Sequence, residues 1–152
     1  MIVRESQVED VLATYTDIAK EILGIKEDLT LLARQKILPS GDRIDLLFVA
    51  DSRMKLVELK VEECKTDFIY QVKSYVDELI KLQTENKIIA GDIDSFLLSP
   101  EFSAEQIELC IKSGITPCEY QPEKVLDAFF ARLREFANFI TLKPADHGLW
   151  HL

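Results

Sequence analysis

Two apolar runs, IDLLFVA at 44–50 and KLVELKV at 55–61, are separated by a few residues that begin with the turn formers Asp51-Ser52-Arg53. So short a gap leaves no room for a crossover helix, so the runs must fold back as an antiparallel hairpin. The first is apolar almost throughout, the pattern of a buried strand. The second alternates cleanly, as a strand with two distinct faces does.

The rest of the chain reads as the elements that would cover this hairpin. Residues 4–24 form an amphipathic helical pattern through Val8, Val11, Leu12, Tyr15, Ile18, Ala19 and Ile22, with Gly24 where a C-terminal cap belongs. LTLLARQKIL (29–38) reads as a strand and Pro39-Ser40-Gly41-Asp42 as a turn. Residues 66–84 place Phe68, Ile69, Val72, Val76, Leu79 and Ile80 along one helical side. A strand centred on SFLL follows within 88–98 and stops at Pro100; a short helix over 103–113 ends at Gly114. ITPCEY (115–120) is a last strand. Residues 122–140 form a helix carrying Leu126, Phe129, Phe130, Leu133, Phe136, Phe139 and Ile140, most of which should be core.

The order αβββαβαβα predicts an α/β domain with a mixed central sheet. A chain of 152 residues, 47% hydrophobic and 30% charged, has the size and composition of one domain with one core. Residues 1–121 are expected to form that core, and 122–152 a helix and tail packed on it or in an interface. Disordered and fibrous classes are excluded by this composition. No uncharged stretch is long enough to cross a bilayer. MIVRESQVED is charged from its fourth residue, unlike a secretory signal. Cys64, Cys110 and Cys118 are odd in number and lack CxxC spacing, which points to a reducing, cytoplasmic setting.

The net charge is −9, which argues against a general nucleic-acid coat protein. The charge is uneven. Residues 1–33 hold three bases against seven acids, 74–152 hold seven against thirteen, but 34–73 hold eight against seven. Within that segment lies Asp45, a single acid in an apolar run, costly to bury unless paired or coordinating. Glu58 and Lys60 share a strand face with Leu56, at about 6–7 Å from one another given roughly 3.3 Å of rise per residue. A two-residue turn at Ser52-Arg53 would set Asp45 opposite Lys60; one at Asp51-Ser52 would set it opposite Glu58. Either register gathers Asp45, Glu58 and Lys60 on one face. Two carboxylates and an ammonium there suit a hard divalent cation and a phosphoryl substrate. A structural ion-pair cluster is the competing reading.

Asp45 followed by Glu58-Leu59-Lys60 resembles the D…(D/E)xK signature of the PD-(D/E)xK nucleases, which have the restriction-endonuclease-like fold. The similarity is closer to the C-terminal nuclease domain of the NucS/EndoMS endonucleases, through SGDRIDLLFV (40–49), KLVELKV (55–61), QVKSYVDEL (71–79) and SFLLSPEFSAEQIELCIKSGITPCEY (95–120). It covers most of residues 5–120. The resemblance implies a DNA endonuclease that uses Mg²⁺ or Mn²⁺, acts in DNA repair and selects its substrate by structure. It implies Asp45, Glu58 and the carbonyl of Leu59 as metal ligands, Lys60 as catalytic lysine, and Gln71 and Tyr75 as a QxxxY pair beside the site. Glu5 would be the first-helix acid, with Glu9 the competitor. NucS-type proteins usually carry an additional N-terminal domain; here the nuclease-like region starts at residue 5. A partner protein or missing domain would then supply DNA specificity.

Arg34, Lys36, Arg43, Lys65 and Lys73, with Tyr75, are the expected nucleic-acid contacts, drawn from the least acidic segment. His147 and His151 lack the glutamate of a metalloprotease helix and are read as tail residues. Apolar residues around much of the girth of helix 122–140 would suit a homodimer face. A catalytically silent module of the same fold, for DNA binding or assembly, is the alternative function.

Overall fold

The hairpin expected from the two apolar runs forms the middle of the sheet in the computed structural model, which describes residues 2–141. The elements run α1 (Glu5–Thr14), α2 (Thr16–Leu23), β1 (Thr30–Ile37), β2 (Arg43–Ala50), β3 (Arg53–Leu59), α3 (Thr66–Thr84), β4 (Ile93–Ser99), α4 (Ala104–Lys112), β5 (Ile115–Glu119) and α5 (Pro122–Thr141). The five strands lie in sequence order in one sheet. β1–β2 and β2–β3 are antiparallel, whereas β3–β4 and β4–β5 are parallel. The mixed α/β sheet flanked by helices is the expected class.

Alternation along the strands sends side chains to two separate clusters. Leu46, Phe48, Val57, Leu59, Phe96 and Leu98 pack under α1, α2 and α5. Leu47, Leu56 and Leu97 pack under α3 and α4. Helical layers on both sides explain why β2 and β4 read as nearly continuous apolar runs. By the same parity Glu58 belongs to the side that α3 covers, with Leu56, whereas Asp45 sits where the alternation of β2 breaks: Ile44 packs with Leu47 and not with Leu46. Among the described residues no helix is long and apolar enough to cross a membrane.

Three expectations are corrected. The single helix over 4–24 is two helices, because Tyr15 leaves helical geometry (φ −113°, ψ 83°). Its amide still closes α1 on the Val11 carbonyl (2.8 Å), and its ring meets Phe129 of α5 at 5.8 Å. The apolar spacing runs through the break because both helices face one cluster. The third strand covers Arg53–Leu59 rather than 55–61, since the turn consumes only Asp51 and Ser52. The phenylalanine series is mostly surface. Phe129 packs against the first cluster, but Phe130, Phe136 and Phe139 are about half exposed, as α5 runs on past the face that buries Val125 and Leu126. His147 and His151 lie outside the described residues.

The parallel pairing of β3 with β4 is reinforced at its start by ions. Asp94 accepts from Arg53 Nε (2.9 Å) and Nη2 (2.7 Å) and from Lys55 Nζ (2.6 Å). Hydrogen bonds from Arg53, then Lys55, hold its carboxyl at about 2, below the usual 3.8. A depressed carboxyl stabilises the fold above its unfolded-state pKa and stops doing so as pH falls through the folded value. Asp94→Asn should therefore cost about 1–2 kcal/mol at pH 7 after allowance for partial exposure. The difference from wild type should close between pH 4 and pH 2, measured by urea denaturation across that range; a gap independent of pH would contradict it.

Candidate active site

The turn decides the geometry. Asp51 and Ser52 both have positive φ (51° and 63°), the pattern of a two-residue type I′ hairpin, whose twist matches that of the flanking strands. Pairing runs from Ala50↔Arg53 to Leu46↔Val57, so Asp45 and Glu58 face one another at the next step. This is the second of the two registers the sequence allowed. Asp45 then turns its Oδ2 onto the backbone N–H of Leu59 (2.9 Å). Lys60, just past β3, keeps its own N–H on the Leu98 carbonyl (2.9 Å) and sets its Nζ 3.5 Å from Glu58 Oε2. Asp45, Glu58 and Lys60 do meet at one end of the sheet.

Glu58 is 3% exposed, and its Oε1 is buried with no hydrogen-bond partner. Burial first, and then Asp45, push its carboxyl up to about 9, against the opposing pull of Lys60. A buried polar atom without a partner is rare and costly. The Lys60 ammonium lies 4.5 Å from the centre of the Phe68 ring, so it is held between the Glu58 carboxyl and an aromatic face.

Residues from both helical layers approach this end. Glu5 on α1 is half-buried; its carboxyl is raised mainly by burial and feels Lys60 and Asp45. Glu9, one turn on, is instead buried and engaged by Arg34 Nη2 (2.7 Å) and Nε (3.2 Å) and by the Gln35 amide. Gln71 and Tyr75 lie one turn apart on α3. The Tyr75 hydroxyl is raised by burial and by nearby Glu58, Asp42 and Asp45. Tyr75 is only 3% exposed, so it is a core wall of the site and not a surface on which a base could stack.

Arg34 is paired with Glu9 and Asp10, with its side chain 38% exposed. Arg43 and Lys73 are exposed, Lys36 half-buried, and Lys65 exposed with Glu62 at 3.5 Å. Two contributors escaped the sequence. Tyr120 donates its hydroxyl to the Lys60 carbonyl (2.7 Å), and Gln35 reaches Asp45 Oδ1 (3.2 Å). The Glu119-Tyr120 pair at the end of the last strand was the one signal available for Tyr120; a glutamine in a strand gives none.

Among the described residues no group of three or more His, Cys, Asp or Glu side chains is gathered to hold a metal. The carboxylates of Asp45 and Glu58 are the side-chain oxygen donors at this end of the sheet. Such a set suits Mg²⁺, which keeps several waters and takes few protein ligands. The unpartnered Glu58 Oε1 is the observation that fits a cation.

The architecture is the restriction-endonuclease-like fold. No protein-family model matches the sequence, and no curated protein matches it. Solved structures do. The chain is similar to EndoMS in complex with double-stranded DNA (TM-score 0.63, 18% identity, 80% of this chain and 46% of that one). It is similar to a repair endonuclease from Pyrococcus abyssi (TM-score 0.62, 18%, 80% and 49%) and to EndoMS in its apo form (0.59, 21%, 80% and 48%). The chain thus spans about half the length of the structures it matches.

A carboxyl whose folded pKa lies above the ordinary 4.5 weakens the fold increasingly as pH rises from that value towards 9. Glu58→Gln keeps the shape and removes the ionisation. In EDTA at pH 7.5 it should raise stability by about 1–3 kcal/mol. Urea denaturation of the two proteins measures this, and a less stable variant would contradict the electrostatics described.

Proposed function

We propose that this chain is a divalent-metal-dependent DNA endonuclease that hydrolyses phosphodiester bonds and selects DNA by its structure. The observation that carries this reading is the buried, unpartnered Glu58 Oε1 beside Asp45 and Lys60, in a fold shared with EndoMS solved on DNA. A silent module would gain nothing from keeping such a group, which lowers stability.

Asp45, Glu58 and the Leu59 carbonyl would hold Mg²⁺ or Mn²⁺. Bound there, the cation would polarise a phosphoryl oxygen and lower the pKa of water. The chain's own residues supply the rest. Asp45 is aimed by the Leu59 N–H, so its carboxylate needs little reorganisation. Lys60, 15% exposed at its side chain, can orient the attacking water or offset charge growing on the phosphate. Phe68 and Glu58 restrain that ammonium. Glu5 and Gln71 would contact the water or the scissile phosphate from the two helical layers. Arg43, Lys65 and Lys73 would meet the DNA backbone. A net charge of −9 disfavours broad electrostatic binding, so DNA selection would rest on distorted geometry or on a partner or further domain.

Cleavage of labelled single-stranded, flapped, branched and mismatched DNA in Mg²⁺, Mn²⁺ or EDTA tests this. Cutting should need metal, and Asp45→Ala, Glu58→Ala and Lys60→Ala should each reduce it at least about a hundredfold. Circular dichroism should show the fold kept. Normal cleavage by both carboxylate variants, or no cutting by the wild type under any condition, would overturn the proposal.

A further inference from the structure

Gln35 has φ +49° in the middle of β1, a left-handed conformation that costs a non-glycine residue strain. It is not a register slip. Arg34↔Leu46 and Lys36↔Ile44 pair normally on either side, which leaves Asp45 directly across from Gln35. The one irregularity in that ladder falls earlier, between Leu31 and Ala33. The twist therefore serves the side chain. Its single NH₂ group donates to Asp45 Oδ1 (3.2 Å) and to Glu9 Oε1.

The bridge belongs to a continuous chain. Asp10 and Glu9 of α1 grip Arg34, Glu9 grips Gln35, Gln35 grips Asp45, and Asp45 accepts from the Leu59 N–H. Glu9 is 7% exposed, and both of its oxygens are engaged. It is thus an anchor, its carboxylate held by Arg34 and Gln35. Asp45 has one donor on each oxygen, which fixes its plane while leaving lone pairs on both.

We propose that Gln35 is a positioning residue: anchored by Glu9 and Arg34, it aims the Asp45 carboxylate at the cation. This rests on the metal-dependent reading above. Partners of this kind hold ligands in orientation, and their loss typically weakens metal binding by about 10–100-fold.

Gln35→Gly is the informative variant. Glycine accepts positive φ without strain, so the backbone stays and only the amide is lost. Two readouts decide. Mn²⁺ affinity, followed by electron paramagnetic resonance, should fall at least about tenfold. In EDTA, hydrogen exchange at the Leu59 amide should quicken, because Asp45 is no longer held from its other side. The melting temperature, in which relief of the strained φ is set against the donor lost by Glu9, is read alongside to separate aiming from simple stability. In cleavage, kcat should fall while KM for DNA stays. Unchanged Mn²⁺ affinity and unchanged Leu59 exchange would overturn the inference. A wild type that binds no Mn²⁺, with Leu59 exchange still quickened in the variant, would sink the nuclease reading and leave Gln35 as the residue that aims Asp45.

Discussion

The hydrogen bond from the Leu59 N–H to the Asp45 carboxylate is the joint on which the site depends. It lies where the β2–β3 ladder ends and a backbone donor has lost its cross-strand carbonyl. A side chain takes over, so the end of the hairpin and the placing of an acid become one event. The Asp51-Ser52 turn sets this up from the far end of the same two strands. A turn one residue longer would slide Asp45 past Glu58, and the amide of Leu59 would find another partner. Register, which usually protects a core, here also aims a carboxylate.

That geometry is held against an electrostatic cost. Glu58 sits among apolar neighbours with an unpartnered oxygen and a second acid opposite, and one lysine offsets only part of the repulsion. The offset comes from elsewhere. Two apolar clusters lie on opposite faces of one sheet, and the Arg53–Asp94–Lys55 network ties β3 to β4 at the end away from the site. The ion network and the buried acids thus lie at opposite ends of the central strands. Left-handed backbone occurs at both ends of the hairpin, in the Asp51-Ser52 turn and in Gln35 beside the acids.

The sequence showed the strands, their order and the three central residues, because period-2 alternation and a short turn leave few alternatives. It left the register open between two choices, since both keep Asp45 and Glu58 on one face; only the φ angles of Asp51 and Ser52 separate them. The Tyr15 break was invisible because α1 and α2 bury the same face, so apolar spacing continues through it. Glu5 stands first and Glu9 as its competitor for the first-helix acid. They part through Arg34, twenty-five positions away in sequence, which takes the buried one. Tyr75 is expected beside the site and among the nucleic-acid contacts; its ring lies in the second cluster while its hydroxyl lies among acids. Amphipathic side chains of this type defeat a binary pattern.

Charge counting misleads in an instructive way. Residues 34–73 are the one stretch where bases outnumber acids, which suggests a surface for phosphates. Five of those eight bases are paired within the protein: Arg34 with Glu9, Arg53 and Lys55 with Asp94, Lys60 with Glu58, and Lys65 with Glu62. The first four are counter-charges for acids that the fold brings inward. A domain with so few cations left to neutralise phosphates would bind a regular duplex weakly and with a shallow salt dependence. If it cuts DNA, selectivity must then come from shape at the sheet end, where α1 and α3 rise on either side of Asp45 and Glu58, or from chain or partner outside these residues. The chain spans only about half of the structures it resembles, which leaves room for the second source.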